Sequence, residues 1–388
     1  MIDVDLASAA AATLPLLPPL LLLLLLHIAA ATIAILLRSG REHRCTTPPP
    51  TNGHFVRLSR GLCHYRVDGI GNTGSPTVLL VHGLTGSSGY FVWLARALSQ
   101  KGRRRVVSLD LYGRGRTSYP ADDAPMTAEL FAEQIFEFLR EMPQGRSDTC
   151  RMNGIDCEED RLPIDLVGYS MGGGVAVAFA AKWPERCRSL TLIAPCGTRN
   201  MRLPLSLRLL LRLPLVPELL IWLCFSPKQA LLGRKDDQWE DVTEWEGWEE
   251  HAREEGRRAV EEATTLRLSM LNTLRHFPLD DLEEEMTMVA TRHAPGRLEV
   301  PLPQPSLVGG RKSGSGSGTS LVHVIWGGND EVVPVAGAAR LLQRIPGATY
   351  DPSRFAKSTH NLPLERAEEV ADEMIKWWGG SRGSLSET

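Results

Sequence analysis

No excess of positive charge runs through this 388-residue sequence: 43 Lys and Arg against 46 Asp and Glu leave a net charge of −3, with the basic residues spread rather than massed. A chain so balanced lacks the electrostatic footprint for nucleic acid or another polyanion. Metal-binding patterns are missing too. The seven cysteines, at 45, 63, 150, 157, 187, 196 and 224, form neither a C-x-x-C pair nor a Cys/His group at zinc spacing, so no metal is expected. Odd in number and scattered, they read as mostly free thiols in a reducing compartment. A Cys150–Cys157 bridge stays open for the case that this loop faces an oxidising lumen. No internal repeat divides the chain.

One long apolar run is present. Leu14 to Leu37 is 24 residues long, enough at about 1.5 Å per residue to cross the roughly 30 Å hydrocarbon core of a bilayer. Pro15, Pro18 and Pro19 mark its start, and His27 is a tolerated polar residue within it. The competing reading is a cleaved secretory signal, but the segment before the run carries Asp3 and Asp5 and neither Lys nor Arg. The run is therefore expected to be a retained anchor, a bilayer partner. Arg38, Arg41 and Arg44 follow it directly, which places the large C-terminal part in the cytoplasm. Thr46–Gly53, with three consecutive prolines, reads as a linker, so residues 1–52 form an anchor and linker.

Beyond the linker, strand and helix alternate. His54–Leu58 and Leu62–Val67 read as a hairpin, Thr77–Val81 as a strand covered on both faces, and Tyr90–Gln100 as a helix. Arg105–Leu109 is the next strand and Thr127–Glu141 the next helix, with Thr127 as its cap. Residues 143–161 are polar and aperiodic and read as a surface insertion. Then come an apolar strand, Leu162–Val167, a sharp turn, a small-residue helix from Gly173, and the strand Arg188–Ile193. Short loops between such elements imply right-handed crossovers and an α/β, doubly wound, mostly parallel sheet, with the ligand site at the carboxyl ends of its strands.

From about 198 to 297 the pattern turns helical, including a long candidate near Glu249–His276, and such a block would lie over the strand ends as a cap. Residues 298–320, Pro-rich and then Gly/Ser-rich, read as a disordered insertion. Residues 321–388 resume the sheet domain begun by 53–197, with a strand at Leu321–Trp326, helices at Val335–Ile345 and Leu364–Trp378, and a short strand near Ala348–Tyr350.

The sharp turn is Gly168-Tyr169-Ser170-Met171-Gly172. Small residues two before and two after the serine let strand and helix approach closely, which holds the hydroxyl clear of the backbone. Such a serine needs a base and an acid that orients the base. Downstream of the last long strand the only histidine is His360, at the entrance to the final helix. The acid belongs just past the preceding strand, where Trp326-Gly327-Gly328-Asn329-Asp330-Glu331 offers Asp330, with Glu331 as its competitor. The backbone N–H groups of Met171 and Leu84 are the candidate oxyanion donors. His82 is read as structural, without a proton-transfer role.

Val81-His82-Gly83, the Asp110-Leu111-x-Gly113-x-Gly115-x-Thr117-Ser118 loop, the Gly168–Gly173 elbow, Trp326-Gly327-x-x-Asp330 and His360 together resemble the α/β-hydrolase superfamily over residues 54–378. The anchor and cap resemble its membrane-bound monoacylglycerol lipase type. The resemblance implies an α/β-hydrolase fold with an inserted helical cap and a serine hydrolase acting on monoacylglycerol or a similar lipid ester, without metal or cofactor. Epoxide hydrolases and haloalkane dehalogenases share the cap but place aspartate at the elbow; Ser170 argues against them.

Arg202–Arg212 and Leu213–Phe225 are richer in leucine than a soluble cap requires. Two readings stand: these leucines lie in the membrane interface and pass lipid to the serine, or they line an acyl pocket. Asp236–Glu255 reads as a solvated acidic face, and the His276/Asp281 pair, at acyltransferase-like spacing, carries little weight. Acyl transfer by the same triad and a non-catalytic, membrane-tethered binding module remain the alternative functions.

Overall fold

The computed structural model describes residues 52–70, 76–142, 163–199, 204–213, 216–224, 248–261, 263–292 and 321–386, with six scattered positions between 21 and 32. Among the described residues no helix is long and apolar enough to cross a membrane. Most of Leu14–Leu37, the linker up to residue 51, and the expected insertions at 143–161 and 298–320 lie outside the described residues.

Eight strands form one sheet: β1 (Gly53–Leu58), β2 (Gly61–Asp68), β3 (Val78–Val81), β4 (Val106–Leu109), β5 (Ile164–Tyr169), β6 (Cys187–Ile193), β7 (Val322–Ile325) and β8 (Thr349–Tyr350). Their order is β1-β2-β4-β3-β5-β6-β7-β8. The β1/β2 hairpin and the β2/β4 pair are antiparallel, and every pair from β4 to β8 is parallel. The strand order runs out in both directions from β3, so ligands meet the sheet at its carboxyl ends, where the reversal opens a crevice.

Period-two alternation sorts the central strands onto two cores. Leu79, Val81, Val107, Leu109, Leu166, Leu190 and Leu192 face one side. Val78, Leu80, Val106, Val167 and Ile193 face the other. Both faces are apolar because helices cover both. On the first side lie α2 (Ala128–Glu141) and α3 (Met171–Lys182). Thr127 caps α2 by accepting from Leu130 N–H at 3.1 Å, and Phe131, Ile135 and Phe138 bury the face so presented. Every residue of α3 except Lys182 is buried, so this helix carries no polar face. On the second side α1 (Val92–Gln100) packs against α11 (Ala367–Ser386), with Leu94, Leu98, Val370 and Met374 fully buried between them. A short helix, α10 (Leu362–Glu365), precedes α11, and α9 (Ala336–Arg344) links β7 to β8.

Between β6 and β7 the described residues hold α4 (Leu205–Arg212), α5 (Val216–Cys224), α6 (Trp248–Glu261), α7 (Ala263–His276) and α8 (Glu283–Arg292). The long helix expected near Glu249–His276 falls on α6 and α7 among the described residues. The segment entering this block is tied to the connection between α7 and α8 at Gly197, whose N–H donates to Leu279 O at 2.9 Å and whose carbonyl accepts from Leu282 N at 3.0 Å. Arg199 pairs there with Asp281 at 2.9 Å, so that aspartate is spent on an ion pair, while His276 is exposed.

At the opposite, amino-terminal end of the sheet Asp165 is fully buried and binds three partners. Arg188 Nε donates to it at 2.8 Å, Ser189 Oγ at 2.5 Å, and Arg104 also pairs with it. Trp378 Nε1 reaches Ser189 Oγ at 3.3 Å, which ties α11 into the same cluster.

Candidate active site

Ser170 sits between β5 and α3 with φ 55° and ψ −120°. A non-glycine residue holds that conformation only where the surroundings enforce it. Ser170 N–H donates to Ile193 O at 2.9 Å, and Ser170 O accepts from Gly173 N at 2.9 Å and Cys196 N at 3.1 Å. The glycines of the elbow permit the close approach. A Cβ at Gly168 would lie 2.6 Å from the Cα of Gly173, and one at Gly172 would lie 2.5 Å from the His82 carbonyl oxygen.

His360 enters from the loop before α10, and Asp330 from the turn after β7. Ser170 Oγ is 3.0 Å from His360 Nε2. His360 Nδ1 is 2.7 Å from Asp330 Oδ2. Because a carboxylate can only accept, Nδ1 carries the proton and Nε2 is the acceptor for the serine hydroxyl. Asp330 Oδ1 accepts from the N–H groups of Val332 at 2.9 Å and Val333 at 2.7 Å, so both carboxylate oxygens are satisfied. Asp330 and His360 are buried while Glu331 is exposed; the chain brings Asp330, and not Glu331, against the imidazole. A serine, a histidine and a buried carboxylate joined in this order form the arrangement for nucleophilic catalysis.

Facing the serine is the loop after β3. A Cβ at Gly83 would stand 3.1 Å from Ser170 Cβ. The Gly83 carbonyl accepts from His82 Nδ1 at 2.7 Å and from Gly86 N at 3.2 Å. That carbonyl and the Leu84 N–H belong to one trans peptide, so holding the oxygen aims the N–H the opposite way. Leu111 N donates to His82 Nε2 at 3.0 Å, which fixes the tautomer. Burial pushes His82 down to about 4, so it is neutral at pH 7 and acts as a strut. Met171 is the first residue of α3, where N–H groups have no partner within the helix. Among the described residues neither the Leu84 nor the Met171 N–H donates to a protein acceptor.

Several supports escaped the sequence reading. Asp110, in the sequence one residue of a loop motif, is buried and accepts from Ser88 N at 2.5 Å, Arg116 N at 2.9 Å and His64 Nδ1 at 2.8 Å. Burial pushes its carboxyl up, but the neighbouring His64 charge and hydrogen bond outweigh that, with the Arg258 charge adding to them, and hold it well below the usual carboxylate range. The D-x-x-G-x-G spacing was the available signal, since tight turns bring their own N–H groups onto a preceding aspartate. Behind the histidine, Tyr90 stacks on Tyr169 at 4.8 Å. The Tyr90 hydroxyl donates to Asn361 Oδ1 at 2.9 Å and shares a second hydrogen bond with the Tyr169 hydroxyl at 3.0 Å, joining the elbow to the His360 loop.

Among the described residues no group of three or more His, Cys, Asp or Glu side chains is placed to hold a metal ion. Cys63, Cys187 and Cys196 are free and buried. Burial pushes the thiols of Cys63 and Cys196 up to about 12.

Lipase 1 of Psychrobacter immobilis is 31% identical over 137 residues, which cover 35% of this chain and 37% of that protein. A human (lyso)-N-acylphosphatidylethanolamine lipase is 31% identical over 129 residues, 32% of either chain. The chain thus spans about a third of the length of these curated relatives. Among solved structures, a membrane phospholipase A described as a bacterial virulence factor superposes with a TM-score of 0.53 at 22% identity, covering 97% of this chain and 96% of its own, a likeness of fold. The profile described as "Alpha/beta hydrolase family" matches residues 78–373, and by that match this chain belongs to the α/β-hydrolase family.

Proposed function

We propose that this chain is a membrane-anchored serine hydrolase that cleaves carboxylic esters, with lipid esters such as monoacylglycerols as its substrates. The observation that carries the reading is the 3.0 Å contact between Ser170 Oγ and His360 Nε2 on a strained elbow, with Asp330 behind the imidazole at 2.7 Å. In the first step Ser170 Oγ attacks the ester carbonyl carbon while His360 takes its proton, and Asp330 stabilises the imidazolium. The N–H groups of Leu84 and Met171 hold the resulting oxyanion, each worth about 3 kcal/mol in the transition state. Collapse expels the alcohol with the proton from His360 and leaves the acyl group on Ser170. Water, deprotonated by His360, then releases the acid. This sequence of steps needs no metal or cofactor.

Lipid as substrate is supported by the names of the relatives, two of them lipases, and by the inserted helices. Leu205, Leu209 and Leu213, then Val216, Leu220 and Leu223, follow helical spacing along α4 and α5 and are 37–72% exposed. Polar ties hold the other sides of these helices in place: Arg275 Nε donates to Leu211 O at 2.9 Å and Arg275 pairs with Glu218 at 3.1 Å. An outward apolar stripe anchored from behind suits the interfacial plane of a bilayer. The run Leu14–Leu37 supplies the anchor in this reading and puts the catalytic part on the cytoplasmic face. Hydrolysis by the full-length protein of monoacylglycerols in bilayers and of short aryl esters in solution tests the proposal. Turnover of both, faster for the bilayer lipid, supports it; turnover of neither overturns it.

A further inference from the structure

Arg114 is 1% exposed, yet among the described residues no carboxylate is its partner. Its Nε donates to the Leu84 carbonyl at 2.6 Å. One terminal nitrogen donates to Thr273 Oγ1 at 2.8 Å, and the other reaches Ser269 Oγ, with a weaker 3.4 Å contact to Tyr112 O. Burial pushes this guanidinium down to about 9, so it stays charged at neutral pH. A buried cation of this kind costs stability unless its donors are satisfied. Here they are satisfied by neutral oxygens, and apart from Tyr112 O in its own loop those oxygens come from two places: the loop facing Ser170 and helix α7 of the inserted block.

The Leu84 residue is consequently pinned on both of its peptide units. His82 and Gly86 hold the peptide that carries its N–H, through the Gly83 oxygen. Arg114 holds the next one, through the Leu84 oxygen. A second inserted helix grips the same loop further along. Arg258 on α6 donates to Ser87 Oγ at 3.1 Å and pairs with Glu255, and Ser87 Oγ is 3.3 Å from Glu255 Oε2. Burial alone raises the Glu255 carboxyl, but the Arg258 charge outweighs it and brings the group to about 2. Glu255 is thereby taken up by Arg258, and Asp110 by His64; neither is spent on Arg114.

We propose that Arg114 is a positioning residue through which the inserted helices set the oxyanion donor: α7 holds one edge of the guanidinium, and the other edge holds Leu84. The planar fork is rigid, so a displacement of α7 is passed to the loop facing Ser170. The inserted block is then part of the transition-state machinery as well as a cover over the strand ends. This inference rests on the reading of the Leu84 N–H as an oxyanion donor in a serine hydrolase.

The test uses the full-length protein and p-nitrophenyl acetate, a substrate small enough that access past the helices does not limit it. The double variant Ser269→Ala/Thr273→Val keeps Arg114 but removes its α7 partners. Its kcat is expected to fall by roughly tenfold with KM within about twofold of wild type, the signature of an interaction made in the transition state. Inhibition by phenylboronic acid, whose boron takes up the Ser170 oxygen to become tetrahedral, is expected to weaken by the same factor. Thr273→Ser, which retains a hydroxyl, stays near wild type. Arg114→Met is expected to lose more than the double variant; should it fail to fold, the double variant decides. A folded double variant with wild-type kcat, or with a raised KM for long-chain monoacylglycerol as its only defect, overturns the inference while leaving the triad intact. A wild-type protein that neither turns over the ester nor depends on Ser170 removes the hydrolase reading and this inference with it.

Discussion

Asp330 divides its two carboxylate oxygens between different tasks: Oδ2 faces His360 Nδ1 at 2.7 Å, and Oδ1 takes the N–H groups of Val332 and Val333. The second set fixes the carboxylate so that the first can fix the imidazole. Asp330→Asn keeps the volume but presents an amide, which favours the wrong imidazole tautomer. Its kcat on any ester is expected to fall by about 10³–10⁴-fold with KM little changed. Glu331→Gln, at an exposed position, is expected to match wild type in the same assay.

The buried cluster at the other end of the sheet concerns stability and not chemistry. Asp165→Asn leaves Arg104 and Arg188 without their carboxylate, and breaking such a buried pair costs about 3–5 kcal/mol. Urea unfolding is expected to report that loss, while kcat per folded molecule stays at the wild-type value because the cluster lies at the amino-terminal strand ends.

Acid is expected to destabilise the fold through two histidines. Burial pushes His82 and His323 each down to about 4, against an ordinary value near 6.5. Between pH 6.5 and 4 the unfolded chain therefore binds more protons than the folded one, so stability falls as pH falls, by about 1.4 kcal/mol per pH unit for each group. Below pH 4 this contribution levels off. Unfolding free energies across that window, compared with those of His323→Gln, check the slope: the variant is expected to show a shallower one.

The leucine stripe on α4 and α5 separates two uses of the inserted block. Replacing Leu205, Leu209 and Leu223 by serine is expected to slow hydrolysis of monoacylglycerol in bilayers by roughly tenfold, from the lost apolar burial at the interface, and to leave p-nitrophenyl acetate turnover unchanged. An equal loss on both substrates would mean that these side chains serve the fold and not the membrane.

What could be read from the sequence follows from range. Ser170 announces itself because strand, turn and helix are contiguous, and His360 and Asp330 because each follows a strand end that its own neighbours define. Short continuous apolar runs placed β3 and the two strands beside it for the same reason. Arg114 carried no comparable signal: its partners Ser269 and Thr273 lie 155 and 159 positions away, and only the packing of α7 on the sheet domain brings them together. By sequence Glu255 belongs to a solvated acidic face, yet it is buried against Ser87 and Arg258. Acidic residues on a polar helix look alike until the helix has a neighbour.

The most direct test of the central claim is where a fluorophosphonate probe attaches. Displacement of its fluoride by a serine oxygen leaves a phosphonyl adduct that peptide mapping locates. One adduct is expected, on Ser170, absent from Ser170→Ala and strongly reduced in His360→Ala, although both variants fold. A folded wild-type protein that takes no label, or takes it on another residue while Ser170→Ala keeps full esterase activity, would contradict the account.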